Sequence, residues 1–274
     1  MTPLYDVKPK RLFAFGCSFT QYHWPCWPEI VGYQLQIPTY NLGKSGSGNQ
    51  CIFSQIIQSD NIFQFTNEDL IMVSWTNVCR EDRFIYHPVN TVAYLSPGNI
   101  FTQNLFDEAY VKKWAIPEGF LLRDLVSIKS VMGFLDNIGV QQHHFSMCDF
   151  VTFDQYNIIK TIKPKFLSFF DSTLEKMLPS MYKVLWNNNF NNKKDLPHAE
   201  AWNDLHPTIK EHYKYLKSVF DYDWSVDSFV NEFDKKVRNA ISIGLSNGIK
   251  YPLMDFSDCH WTNTNLSDRD FLVK

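Results

Sequence analysis

Residues 69–77 read DLIMVSWTN, and every position from Leu70 to Val73 is apolar. A strand with one face in water alternates apolar and polar residues, so this unbroken run predicts a strand buried on both faces, as in a parallel sheet. Two earlier apolar runs end in a similar way. RLFAFGCS (11–18) closes on Gly16, and PTYNLGKSGSGN (38–49) passes from a short strand into a Gly/Ser loop. Helical spacing follows each of them: WPEIVGYQLQI (27–37) behind Pro28, then QCIFSQIIQSD (50–60) with Ile52, Phe53, Ile56 and Ile57 on one face. GFLLRDLVSIKSVMGFLDNIG (119–139) reads as a long amphipathic helix that Gly139 ends, and VQQHHFSMC (140–148) as a fourth strand.

This alternation predicts an α/β fold, a three-layer α/β/α sandwich around a mainly parallel, flavodoxin-like central sheet, with insertions and extra C-terminal helices. One domain spanning 1–274 is expected, with a cap or insertion around 151–200, where no full strand is legible, and a C-terminal extension from about 221. Residues 78–117 read as irregular. HPTIKEHYKYLKSVF (206–220) reads as a helix opened by Pro207. WSVDSFVNEFDKKVRNAISIG (224–244) reads as another, with apolar residues at 226, 229, 233, 237 and 241 and Gly244 at its end.

Composition narrows the function classes. A net charge of −3 with scattered Lys and Arg offers no footprint for nucleic acid. The six cysteines lie far apart with no Cys-x-x-Cys pair, which predicts reduced, buried thiols and no zinc site. His143 and His144 are neighbours on a strand and point to opposite faces, so packing and not a metal accounts for them. The apolar stretch after Lys8, Lys10 and Arg11 is too short for a secretory leader, and no 18-residue apolar window appears; no membrane span and a cytoplasmic location are the expectation. The aromatic residues Phe84, Tyr86, Tyr94, Phe101, Phe106, Tyr110 and Trp114 suit either a core or a groove for an acyl chain or sugar.

Four short segments sit just beyond strands or at a helix start, where chemistry is usually placed. Gly16-Cys17-Ser18 would expose a hydroxyl at the top of the sheet, near the positive end of any helix that follows. Gly43-Lys44-Ser45-Gly46-Ser47-Gly48-Asn49 allows close backbone approach but lacks the spacing of a nucleotide loop. Ser74-Trp75-Thr76-Asn77 ends the buried strand in an amide suited to stabilising an oxyanion. Asp204-Leu205-His206-Pro207-Thr208 offers an imidazole with a carboxylate two residues earlier, as a serine nucleophile's general base requires. Each segment alone also reads as an ordinary turn or cap.

Taken in order, FGCSFT, NLGKSG, SWTN and NDLHPT resemble the four blocks of the SGNH (GDSL-like) hydrolase superfamily, which supply Ser, Gly, Asn and His to one site. The resemblance covers roughly residues 11–220. It implies a serine esterase, in this family often a deacetylase, acting on a small-molecule or carbohydrate ester through an acyl-enzyme, without a cofactor or metal. Ser18 would be the nucleophile, His206 its base and Asp204 the orienting acid. The N–H groups of Ser18 and Gly46 and the amide of Asn77 would form the oxyanion hole, with Gly43 the alternative to Gly46.

The blocks depart from the family pattern in places. Cys17 stands where the first block usually has aspartate, Val78 where the third ends in aspartate, and Asn203 where the acid usually precedes the histidine by three residues. Asp258 and His260 form a rival acid and base, and Cys17 a rival nucleophile, although adjacent residues at a strand end point differently. A catalytically inactive protein that keeps the fold and binds glycan or a protein partner is the other functional reading. The oligomeric state stays open.

Overall fold

The computed structural model describes residues 1–87, 91–95, 98–101, 106–150, 165–189, 193 and 206–246, without side chains for 84–95 and 245–246. The central sheet has four parallel strands in the order β3-β2-β4-β7, comprising β2 (Arg11–Gly16), β3 (Thr39–Asn41), β4 (Asp69–Trp75) and β7 (Gln141–Ser146). A two-residue β1 (Thr2–Pro3) pairs in parallel with β8 (Phe220–Asp221). All seven residues of β4 are buried, as its unbroken apolar run requires.

Because side chains alternate along a strand, the sheet feeds two cores. Leu12, Ala14, Leu70, Met72 and Phe145 face one, built with α1 (Trp27–Leu35), α6 (Met181–Trp186), α7 (Ile209–Val219) and α8 (Asp227–Ser246). Phe13, Phe15, Ile71, Val73 and Trp75 face the other, built with α2 (Asn49–Phe63) and α4 (Pro117–Ile138). The result is an α/β/α sandwich with a doubly wound, flavodoxin-like strand order. Helix α4 stops where Gly139 takes φ 77°, a left-handed conformation that glycine adopts without a Cβ penalty.

The chain leaves β2 to one side for β3, then returns past it to β4 on the other. A crevice opens where such an order reverses, at the carboxyl ends of β2 and β4. Gly16 pairs with Ser74 in register, so the segments that follow these two strands start side by side.

Three expectations need correction. The described part of 78–117 is not irregular throughout: β5 (Arg83–His87) and β6 (Thr91–Leu95) pair antiparallel, and α3 (Glu108–Trp114) follows. Pro207 does not open α7; Thr208 is its N-cap, with Pro207 one residue outside. Gly244 does not end α8, which continues to Ser246 with Phe229, Phe233, Val237 and Ile241 buried along its core side and Val226 buried just before its start. Within 151–202, the described part holds a 3-10 helix (Lys165–Phe170), α5 (Asp171–Glu175) and α6. Among the described residues no helix is long and apolar enough to cross a membrane.

Candidate active site

The chain leaves β2 through a tight turn in which the N–H groups of Thr20 and Gln21 both donate to the Cys17 carbonyl, at 2.9 and 3.1 Å. No helix follows directly, since α1 begins at Trp27, so Ser18 is not at a helix N-terminus. Gly16 is required by crowding: a Cβ there would collide with the Thr20 hydroxyl and lie 2.8 Å from the Ser74 carbonyl. The turn buries Cys17 in the α1/α7 core and leaves Ser18 6% exposed at the crevice.

Ser18 Oγ lies 2.8 Å from His206 Nε2, across 188 residues of chain. With the imidazole proton on Nδ1, Nε2 accepts from the serine hydroxyl. The ring of His206 is held between aromatic neighbours. Tyr22 stacks on it with centroids 3.8 Å apart and planes at 16°, and Phe19 meets it edge-on at 5.4 Å. Trp24 Nε1 donates to the Pro207 carbonyl at 2.8 Å, and Lys193 Nζ donates to the His206 carbonyl.

The helix behind His206 is fixed by a reciprocal cap. The Glu211 N–H donates to Thr208 Oγ1 at 3.2 Å, while Glu211 Oε2 accepts from the Thr208 N–H at 2.9 Å. Glu211 Oε1 also accepts from Trp186 Nε1 at 2.8 Å. This buried carboxylate therefore ties α7 to α6 as well as capping it.

The Gly/Ser loop packs against the first turn. The Lys44 N–H donates to the Gly16 carbonyl at 2.9 Å, and Asn41 Nδ2 donates to the Thr20 carbonyl at 2.9 Å and to Glu29 Oε1 at 2.6 Å. Burial pushes the Glu29 carboxyl up to about 7, against the lowering effect of the Asn41 and Cys26 donors. Gly43 N–H is already committed to Asn41 Oδ1 at 3.1 Å. Gly46 sits at φ 82° in the turn closed by Ser47 N–H on the Lys44 carbonyl. Its own N–H and that of Ser18 make no hydrogen bond among the described residues. Of the two candidate glycines, only Gly46 thus keeps a donor to offer.

The start of α2 has glycine at its N-cap, and Asp82 supplies the missing cap from 34 residues away. It accepts from the N–H groups of Gly48 and Cys51 at 2.9 and 2.8 Å. Asn49 bonds both backbone groups of Thr76, at 2.8 Å to the N–H and 3.1 Å to the carbonyl, and donates to buried Asp124 at 2.8 Å. Burial raises the Asp124 carboxyl to about 6, against Arg123 and Asn49, which favour its ionised form. These contacts stitch the Gly/Ser loop to the end of β4. Asn77 follows there, 8% exposed, with its side-chain oxygen accepting from the Cys79 N–H at 2.8 Å.

Ser18, which follows β2, and His206 are thus in contact, while the Gly46 loop follows the neighbouring β3 and Asn77 follows β4. Asp204, Asp258 and His260 lie outside the described residues. Neither His143 nor His144 is placed for a metal: His143 Nε2 bonds the Leu4 carbonyl at 2.8 Å, and His144 Nδ1 accepts from Trp75 Nε1 at 3.1 Å. Among the described residues no group of three potential metal ligands forms. Of the aromatic residues considered for a groove, Phe101 packs into the α2/α4 core, Phe106 stacks on Tyr110 and Trp114 is exposed; the side chains of Phe84, Tyr86 and Tyr94 lie outside the description. Sequence reasoning missed Tyr22, four residues beyond Ser18 and just past its turn. It also missed Asn41, Asn49 and Asp82, whose partners are distant in sequence.

No family model and no curated protein matches the chain. Among solved structures, a "putative lipolytic protein of G-D-S-L family" from Desulfitobacterium hafniense DCB-2 superposes with a TM-score of 0.40 at 16% identity, over 76% of this chain and 96% of that one. A superposition at that score carries no weight for the chemistry, which rests on this chain's own side chains.

Proposed function

We propose that the protein is a serine ester hydrolase that works through an acyl-enzyme on Ser18. The observation that carries this reading is the 2.8 Å contact between Ser18 Oγ and His206 Nε2. As Oγ attacks an ester carbonyl, its proton passes to Nε2 and the new C–O bond turns the carbonyl oxygen into an oxyanion. The imidazolium then gives that proton to the departing alcohol as the ester C–O bond breaks. In the second half, His206 takes a proton from water, hydroxide adds to the acyl carbon, and the proton returns to Oγ as the acid leaves.

Three donors would meet the oxyanion: the N–H groups of Ser18 and Gly46, which have no acceptor among the described residues, and the side-chain amide of Asn77. Asp204, two residues before the base, would hold its Nδ1–H. Stacking on Tyr22 supports the same cycle, because an aromatic face stabilises the imidazolium that each half requires. The expected substrate is a small or carbohydrate-linked acyl ester, and no cofactor enters these steps.

The test is turnover of p-nitrophenyl acetate and longer acyl esters by wild type, Ser18→Ala and His206→Ala. Loss of Ser18 or His206 is expected to lower kcat by at least about 10³-fold. Equal rates in wild type and Ser18→Ala would overturn the assignment.

A further inference from the structure

Strands β4 and β7 stay side by side beyond their last paired residues. Trp75 pairs with Ser146, and the Met147 N–H then donates to the Trp75 carbonyl at 2.7 Å. The two residues that follow on each strand meet through sulfur. Thr76 Oγ1 lies 4.0 Å from Met147 Sδ, and Asn77 Nδ2 lies 3.9 Å from Cys148 Sγ. Cys148 is buried, and burial raises its thiol well above the ordinary range, so it stays a neutral thiol.

An asparagine amide has an oxygen acceptor and two N–H donors. In Asn77 the oxygen is taken by the Cys79 N–H, and one N–H points to Cys148 Sγ. The other N–H has no acceptor among the described residues. The amide plane is thereby fixed at two points with one donor left to offer. Sulfur is a weak acceptor, so it orients the amide without withdrawing much of its donor strength from a developing charge. An oxygen acceptor in the same place would compete more strongly for it.

We propose that Cys148 is a positioning residue that orients Asn77 as an oxyanion donor. This rests on the serine-hydrolase reading of Ser18, His206 and Asn77. Cys148 itself touches no reacting atom; it acts through the amide.

The experiment uses Cys148→Ala and Cys148→Ser, each alone and combined with Asn77→Ala. The readouts are kcat and KM on p-nitrophenyl acetate, the rate of Ser18 labelling by a fluorophosphonate, and a thermal melt. Serine stays closest to cysteine in size and protects the test if alanine leaves an unstable cavity. Its oxygen, on a shorter bond and needing a closer approach, falls out of reach of the amide. Both single variants are expected to lower kcat and labelling about three- to tenfold with KM unchanged. In the Asn77→Ala background neither should cause further loss, because the group it orients is gone. Losses that multiply in the double variants, or wild-type kcat in either single variant, would overturn the role of Cys148 while leaving the hydrolase reading intact. That reading fails separately if Ser18→Ala turns over as wild type does; a wild-type protein that neither turns over nor labels removes both.

Discussion

Tyr22 lies flat on His206, its ring centroid 3.8 Å from that of the imidazole. The two residues are distant in sequence, and the stack ties the serine turn to the histidine segment independently of the Ser18 hydroxyl. A π face beside an imidazolium is worth about 0.5–1 kcal/mol when partly exposed. In the proposed cycle that charge exists only after Ser18 has given up its proton, so the benefit falls on the transition state and not on substrate binding. Tyr22→Leu is therefore expected to lower kcat about two- to fivefold with KM unchanged, and Tyr22→Phe to keep the wild-type rate. Equal losses in both variants would mean that the hydroxyl and not the ring matters.

Arg11 and Asp69 form a bidentate pair at the amino end of the sheet, with both N···O distances at 2.7 Å. Asp69 is 1% exposed and also accepts from the Thr66 N–H at 2.8 Å, so its charge depends on Arg11 for compensation. Arg11→Met would leave that carboxylate buried with only neutral donors. The expected cost is about 2–3 kcal/mol of unfolding free energy near neutral pH, below that of a fully buried pair because Arg11 is partly exposed, measured by urea denaturation. Because the pair sits at the far end of β2 and β4 from Ser18, kcat should not change. A drop in kcat with unchanged stability would contradict this placement.

The parts of the fold that were legible are those whose signal is local. β4 declares itself because both its faces are buried, and α4 because its apolar stripe ends at a glycine able to take positive φ. The antiparallel pair of β5 and β6 stayed hidden because the alternation of Phe84 and Tyr86 reads equally well as a scatter of aromatics. Helix α3 buries none of its residues, so it has no apolar stripe to detect. At the site, the sequence points to Ser18 and His206 because each has a recognisable neighbourhood. It carries no trace of Asp82 capping α2, since the cap and the helix are 34 residues apart and the local N-cap is a bare glycine. Cys148 was equally out of sight, because only strand register brings it to Asn77.

His212 is fully buried on α7, and neither ring nitrogen has a hydrogen-bond partner among the described residues. Burial, with the nearby charges of Lys193 and His206, lowers its pKa to about 3. In the unfolded chain it would titrate at the ordinary value of 6.5. Above that value both states are neutral and the group contributes nothing to pH dependence. As pH falls below it, the unfolded chain takes up a proton that the folded state refuses, and stability is lost. Replacing His212 with leucine removes this loss and also the cost of leaving a polar ring unpartnered, about 1–3 kcal/mol. His212→Leu should therefore be at least as stable as wild type near pH 8. Its advantage should grow by about 1.4 kcal/mol near pH 5.5, where the unfolded histidine is mostly charged. Glu29 and Asp124, whose raised values act in the opposite direction over about pH 4 to 7, are common to both proteins and cancel in the difference. Urea titrations of wild type and variant at the two pH values measure it, and an advantage that does not depend on pH would show that His212 takes up its proton over the same range in the folded state as in the unfolded one.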